Sequence, residues 1–326
     1  MEVNTIIEVL PTATTGGKNM LLVGVFTYVS AVTATENQTI RIGIIHVFVG
    51  VCAAIGDALS GVIYKLIGFY GVFSLSFVLY TLGGLYAYYR LNESPREGEK
   101  PLTKCELVKD IVNVKKTVET FKFLVKPHCS IQTKQICGIL FLAVLVVGPF
   151  KGEEAVLYLY ARFKFGWNEV DYSIFYGYYS VAHFIGNFIA IGLFSKLLHL
   201  DDAILGVISS TSKILGGIAF ILANTAIMFY ISTLVETFHG TAFVASRSMV
   251  TKLVKEQDLG KVNSLFGVAE SITLLVYGPM YSAIYKATID TFPGAFYIAG
   301  ICLTVPAILM YIWLFTKRHV RFPEET

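Results

Sequence analysis

Eleven ionisable side chains lie inside apolar stretches of this 326-residue sequence: His46, Asp57, Lys151, Glu153, Glu154, His183, Lys213, Glu236, His239, Arg247 and Glu270. A charge carried into hydrocarbon costs about 2.5–3.5 kcal/mol on insertion scales, so each is a candidate for function unless an interface lies within snorkelling reach. Glu236 and His239 are three apart and share a helix face, as a coupled acid and imidazole or as a pair at an outer interface. His183 sits among aromatics in YGYYSVAHFIGNF, close to Tyr176 and Tyr179. A histidine titrates near neutrality and suits a proton-coupled cycle, although a satisfied core histidine is the plainer reading. Glu153 and Glu154 follow Gly148-Pro149; neighbouring residues point about 100° apart on a helix, so at most one faces a cavity squarely. Either acid could carry a proton, and Lys151 close by equally allows an outer vestibule. Arg247, in AFVASRSMVTKLVKEQDLGK, reads as a fixed cation facing a cavity or gate, or as a snorkelling anchor. Asp57 reads as a gate partner or an interfacial cap.

Other chemistries find no support. No HExxH, GxSxG, P-loop or CxxC pattern occurs, so neither an enzyme nor a bound metal or cofactor is expected. Net charge is +3 without a polybasic, aromatic-rich tail, which argues against a nucleic-acid partner. The five cysteines are divided between apolar runs and one polar segment and suggest no disulfide framework.

The elements that must position these residues are transmembrane helices. The chain is 55% hydrophobic and 15% charged, against about 25% charged in soluble domains, and its mean hydropathy is +0.63. A crossing needs about 20 apolar residues. Nine runs qualify: about 18–35, 41–66, 69–90, 134–162, 172–196, 203–222, 225–250, 261–286 and 292–316. The polar stretch 91–133 separates three runs from six, and carries helically spaced apolar residues from Leu107 to Val125, as a basic amphipathic helix on the membrane face would. Loops on its side of the membrane hold 18 basic residues against six opposite, which makes that stretch and the C-terminus cytoplasmic. Nine crossings then put the N-terminus outside with no signal peptide to carry it there, and three further upstream spans would repair the topology.

Particular runs carry a resemblance. FTYVSAVTATENQTIRIG, FKFGWNEVDYSIFYGYY, SRSMVTKLVKE and NSLFGVAESI look like the proton-coupled folate transporter group, solute carrier family 46, of the major facilitator superfamily. That resemblance covers nearly the whole chain, from the family's fourth span to its twelfth. It implies an all-α membrane protein with a major facilitator-type bundle: residues 1–90 as a partial N-terminal bundle, 91–133 as linker, 134–316 as a six-helix bundle and 317–326 as a tail. It also implies proton-coupled import of an organic anion by a multi-pass protein, of the plasma membrane rather than the lysosomal one. Arg247 falls on the family's functional arginine and His183 on a histidine of the same span. The substrate or gate set is then Arg247, Asp57, Tyr176 and Tyr179, and the proton set is His183, Glu153, Glu154 and Glu236. The sequence departs from the family at Ala31, where an acid is usual, at Gln38 in place of arginine and at His46 in place of an acid, which points away from folate itself. A non-transporting fragment and a polytopic receptor are the competing readings.

Overall fold

Glycine and proline decide where these long apolar runs bend. A computed structural model describes residues 35–90, 130–190, 200–253 and 259–317, with a few single positions outside them. Every regular element among them is a helix: α1 (Thr35–Arg90), α2 (Ser130–Phe165), α3 (Glu169–Ile189), α4 (Asp202–Leu222), α5 (Ala226–Val235), α6 (Thr241–Leu253), α7 (Leu259–Thr288) and α8 (Ala295–Thr316). The expected first span and the amphipathic helix of the 91–133 stretch lie outside the described residues, as do Ala31 and all of the C-terminal tail beyond Lys317.

The chain divides into two compact units, residues 1–56 and 57–326. Of the first, the start of α1 is the main described part. Straightened, the 56 residues of α1 would reach about 84 Å, far beyond a hydrocarbon layer of about 30 Å. The helix breaks at Gly68, whose φ of 67° and ψ of −178° suit glycine and strain other residues. That break separates the runs expected at 41–66 and 69–90.

In the second unit α4 packs on α8, α6 and α5, while α2 packs on α7, α8 and α6. Two aromatic and aliphatic clusters fill the interior, one around Tyr160, Phe175, Phe229 and Phe296 and the other around Leu142, Phe266 and Tyr311. Large apolar side chains also cover the outside, among them Phe188, Leu222, Ile227, Leu275 and Leu309, as a lipid-facing surface requires. Among the described residues, four helices are long and apolar enough to cross a membrane: α1 from Phe48, α2 from Lys134, α4 and α8. α3 and α7 have the length, at 21 and 30 residues, but not the apolarity. Their tyrosines, serines and threonines lower it.

The run expected at 225–250 as one helix is two. α5 ends at Val235, residues 236–240 turn, and α6 begins at Thr241. Hydroxyls on α4 make the break tolerable, because buried carbonyls that lose helical partners must find others. Ser212 Oγ donates to the Val235 carbonyl at 2.6 Å. Ser209 Oγ lies 2.6 Å and 2.7 Å from the carbonyls of Phe238 and His239 and accepts from the Ala242 N–H at 2.8 Å. Thr237 Oγ1 donates to the Ala182 carbonyl at 3.0 Å and ties the turn to α3.

Candidate functional site

Lys213 sits halfway along α4 on the face that also buries Ser209, Ser212 and Gly216, so its ammonium cannot snorkel to either end. It is the only buried lysine or arginine among the described residues. Two acids reach it. Glu153 Oε2 of α2 and Glu236 Oε1, at the break after α5, each lie 2.5 Å from Lys213 Nζ. All three side chains are at least nine-tenths buried. Pro149, four residues before Glu153, cannot donate to the Leu145 carbonyl and loosens α2 just ahead of the acid. Glycines clear the space: a methyl on Gly216 would come within 2.5 Å of Glu236 Cβ, and one on Gly300 equally close to Glu153 Oε1. Gly216→Val is therefore expected to push Glu236 off Lys213 and destabilise the chain by about 1–3 kcal/mol, read as a lowered melting temperature of the purified protein.

The break adds an imidazole pair. His239 Nδ1 lies 3.8 Å from Glu236 Oε1 and 3.2 Å from His183 Nδ1 of α3. One of those two ring nitrogens donates to the other, so they cannot both carry a proton without losing that bond. Tyr179 packs on His183 with ring centroids 4.2 Å apart, and Phe150 on His239 at 4.9 Å. With neutral imidazoles the two carboxylates and one ammonium leave a single excess negative charge out of water. His183, Glu236 and His239 offer ligand atoms within 4.8 Å of one another, a spacing that a metal ion could draw together. Here the Lys213 ammonium already holds the cationic place on Glu236.

A narrow cleft opens beside the cluster. Glu153, Glu154 and Glu236 supply its acids; Phe150, Tyr176, Tyr179, Phe220 and Tyr297 supply rings. Glu154 is held by Lys151 at 2.6 Å and by the Tyr176 hydroxyl, which donates at 2.7 Å. Two buried polar atoms of the lining, Glu236 Oε2 and the Tyr297 hydroxyl, have no hydrogen-bond partner.

Of the residues nominated from sequence, Glu153, Glu236 and His183 meet in the cluster, and Glu154, Tyr176 and Tyr179 line the cleft. Asp57 accepts from Ser180 Oγ at 2.7 Å, one turn of α3 from His183. The structure does not bring Arg247 to the cluster. It is exposed on α6, with its guanidinium carbon 5.8 Å and 6.0 Å from the ring centroids of Phe243 and Phe266. Lys213 and His239, counted among the eleven deep ionisable residues but placed in neither the substrate nor the proton set, complete the arrangement. His46 lies within α1, at its expected helical position.

A family model described as Major Facilitator Superfamily matches residues 12–235. The chain is similar to the Lysosomal proton-coupled steroid conjugate and bile acid symporter of Mus musculus, 23% identical over 282 residues that cover 84% of this chain and 58% of the relative. The same symporter of Gallus gallus is 24% identical over 308 residues, 91% of this chain and 64% of the relative. The Proton-coupled folate transporter of Rattus norvegicus is 24% identical over 329 residues, 95% of this chain and 65% of that protein. The chain thus spans about three fifths of the length of the curated relatives it matches.

Proposed function

The chain belongs to the major facilitator superfamily, and from that premise we propose that it is a secondary active transporter coupling protons to the import of an organic anion. The observation that carries the reading is the Lys213–Glu153–Glu236 cluster, an ion triad with one excess negative charge buried beside a cleft and against a broken helix. Discontinuous helices beside a central cavity are where secondary transporters place coupling groups. The relatives named as proton-coupled support the same reading.

The charge count gives an order of events. An anion entering the cleft beside an excess negative charge is repelled across a medium that screens poorly. A proton on Glu236 or Glu153 removes the excess charge and frees part of the Lys213 ammonium's attraction. The anion then binds, and the loaded protein turns with the charges compensated. His239, whose Nδ1 lies 3.8 Å from the same Glu236 oxygen that Lys213 holds, and His183 next to it offer the proton a place to arrive or leave.

The chain reconstituted in proteoliposomes tests this, with a labelled bile acid, steroid sulfate and folate as probes. An inward proton gradient is expected to raise uptake of at least one probe several-fold and to acidify the lumen with it. Uptake indifferent to the gradient, or none of the probes moving, would remove the proposal.

The same proposal includes nine crossings: the 18–35 run, two in α1 divided at Gly68, and one each in α2, α3, α4, the α5–α6 pair, α7 and α8. Tags inserted in the 91–133 stretch and at the C-terminus are expected to be reached by antibody only after permeabilisation.

A further inference from the structure

Three buried tyrosine hydroxyls have no hydrogen-bond partner, those of Tyr281 and Tyr285 on α7 and of Tyr297 on α8. Buried hydroxyls are normally bonded, because leaving one bare costs about 1–3 kcal/mol. Three of them beside one another point to a common partner. Tyr277, Tyr281 and Tyr285 recur every four residues along one face of α7, and Gly148 and Gly152 of α2 leave room for the first two rings. The inner part of this file reaches the ion cluster. A methyl built on Gly300 of α8 would stand 2.5 Å from Glu153 Oε1 and 3.3 Å from the Tyr281 hydroxyl, so both oxygens lie against the same bare stretch of helix. Tyr297 faces Glu153 and Glu236 from α8 as well. The other part reaches the helix ends. Tyr285 immediately precedes exposed Lys286 and faces Tyr160, whose hydroxyl accepts from Lys164 Nζ at 2.8 Å near the end of α2. Tyr160 in turn packs on Tyr297, with ring centroids 5.7 Å apart. In the orientation proposed above, these are the outer ends of α2 and α7.

We propose that the hydroxyls of Tyr285, Tyr297 and Tyr281, linked by buried water, are the path along which the coupling proton reaches Glu153 from the outer face. Residues four apart on a helix stand about 5–6 Å apart at their Cβ atoms, a gap that one water spans with two bonds of about 2.8 Å. Such a water also supplies the missing partners, as buried waters do elsewhere. In a concerted hop the outer water gives up one proton, each oxygen along the file gains one as it releases another, and the Glu153 carboxylate keeps the last. No tyrosine is left charged. A file of hydroxyls passes protons and no solute, so the excess negative charge is removed before the anion enters. The inference rests on the transporter reading and adds the proton's route and its first acceptor. The groups facing Glu153 are Lys213 of α4, Glu236 after α5, Tyr179 of α3, Tyr281 of α7 and Tyr297 of α8, while Lys151 and Glu154 of its own helix pair with each other. Of these, Tyr281 and Tyr297 carry hydroxyls with no bond to break before a proton passes.

The test is the rate at which the acid takes up its proton, measured without solute. The purified chain in lipid nanodiscs is acidified by a rapid pH jump, and time-resolved infrared difference spectroscopy follows the carbonyl band of a protonated, buried carboxyl group. The band is expected to grow in the parent and to be lost in Glu153→Gln. Tyr281→Phe and Tyr297→Phe keep the rings and remove only the hydroxyls. Each is expected to reach the parent's final band several-fold more slowly, and the two together more slowly than either. Tyr277→Phe, one turn further along the same face of α7, is expected to match the parent. No band in the parent, a band that Glu153→Gln leaves in place, parent rates in both Phe variants, or equal slowing by Tyr277→Phe overturns the proposal. A parent that accumulates solute under a proton gradient while its Phe variants protonate at the parent rate sinks the path alone. Absence of proton-driven uptake in proteoliposomes sinks the transporter reading, and the path with it.

Discussion

Lys213→Met is expected to lose about 3–5 kcal/mol of stability, because it leaves Glu153 and Glu236 facing each other out of water with no cation between them. Against a total of about 5–15 kcal/mol that is enough to collapse the folded population on warming. The cause lies in the acids rather than in the missing methylenes, since Met fills nearly the same volume as the lysine stem. The triple variant Lys213→Met, Glu153→Gln, Glu236→Gln is therefore expected to recover most of the loss, as neutral side chains of similar shape replace a buried ion cluster with little penalty. Monodispersity and melting temperature of the purified proteins give the comparison. A single variant as stable as the parent, or a triple variant no better than the single, would mean that the three charges do not depend on one another.

The sequence gives away the deep charges more readily than their grouping. Glu153, Glu236 and His183 stand out because each interrupts an apolar run, and the structure brings them together. Lys213 gave the same signal more strongly, lying in the middle of the 203–222 run with no polar end in reach, yet a lone lysine names no partner until three other helices are packed around it. The break at residues 236–240 was hidden for a different reason. No proline marks it, and a single glycine, Gly240, sits at its far edge; what sustains it are the hydroxyls of Ser209 and Ser212 on another helix. Glu236 and His239 were expected to meet as helical neighbours, and they lie 3.8 Å apart across a turn instead. Arg247 drew attention through the motif around it, and its exposed place over two rings is a tertiary fact no spacing could supply. At Gly68, by contrast, the two apolar runs already divided where the helix breaks.

Glu236→Gln is expected to separate exchange from accumulation. Gln mimics the protonated acid in shape and charge, still fits beside Gly216 and Lys213, and can never release a proton. If the proton must arrive before the anion and leave before the empty protein returns, the variant can bind the solute and turn while loaded, but it gains nothing from a proton gradient. Proteoliposomes preloaded with unlabelled solute should then exchange it for labelled solute at close to the parent rate, while uptake into empty vesicles under an inward proton gradient falls at least about tenfold, the scale of a lost charge-specific interaction. The dependence on external pH takes its sign from the same order: parent uptake rises as the outside is acidified, because the cluster with its excess charge removed is the form that accepts an anion, and the variant's profile is flat. Glu153→Gln should behave likewise if the two acids share one proton, and should keep the parent profile if Glu236 alone carries it. The surrounding charges are the same in both tests, with Lys213 bonded to both acids and His239 and His183 beside Glu236, so a difference between the variants locates the proton. Loss of exchange together with uptake in a folded Glu236→Gln protein would instead make Glu236 a binding or structural group. A pH profile that survives in both variants would place the coupling proton outside this cluster.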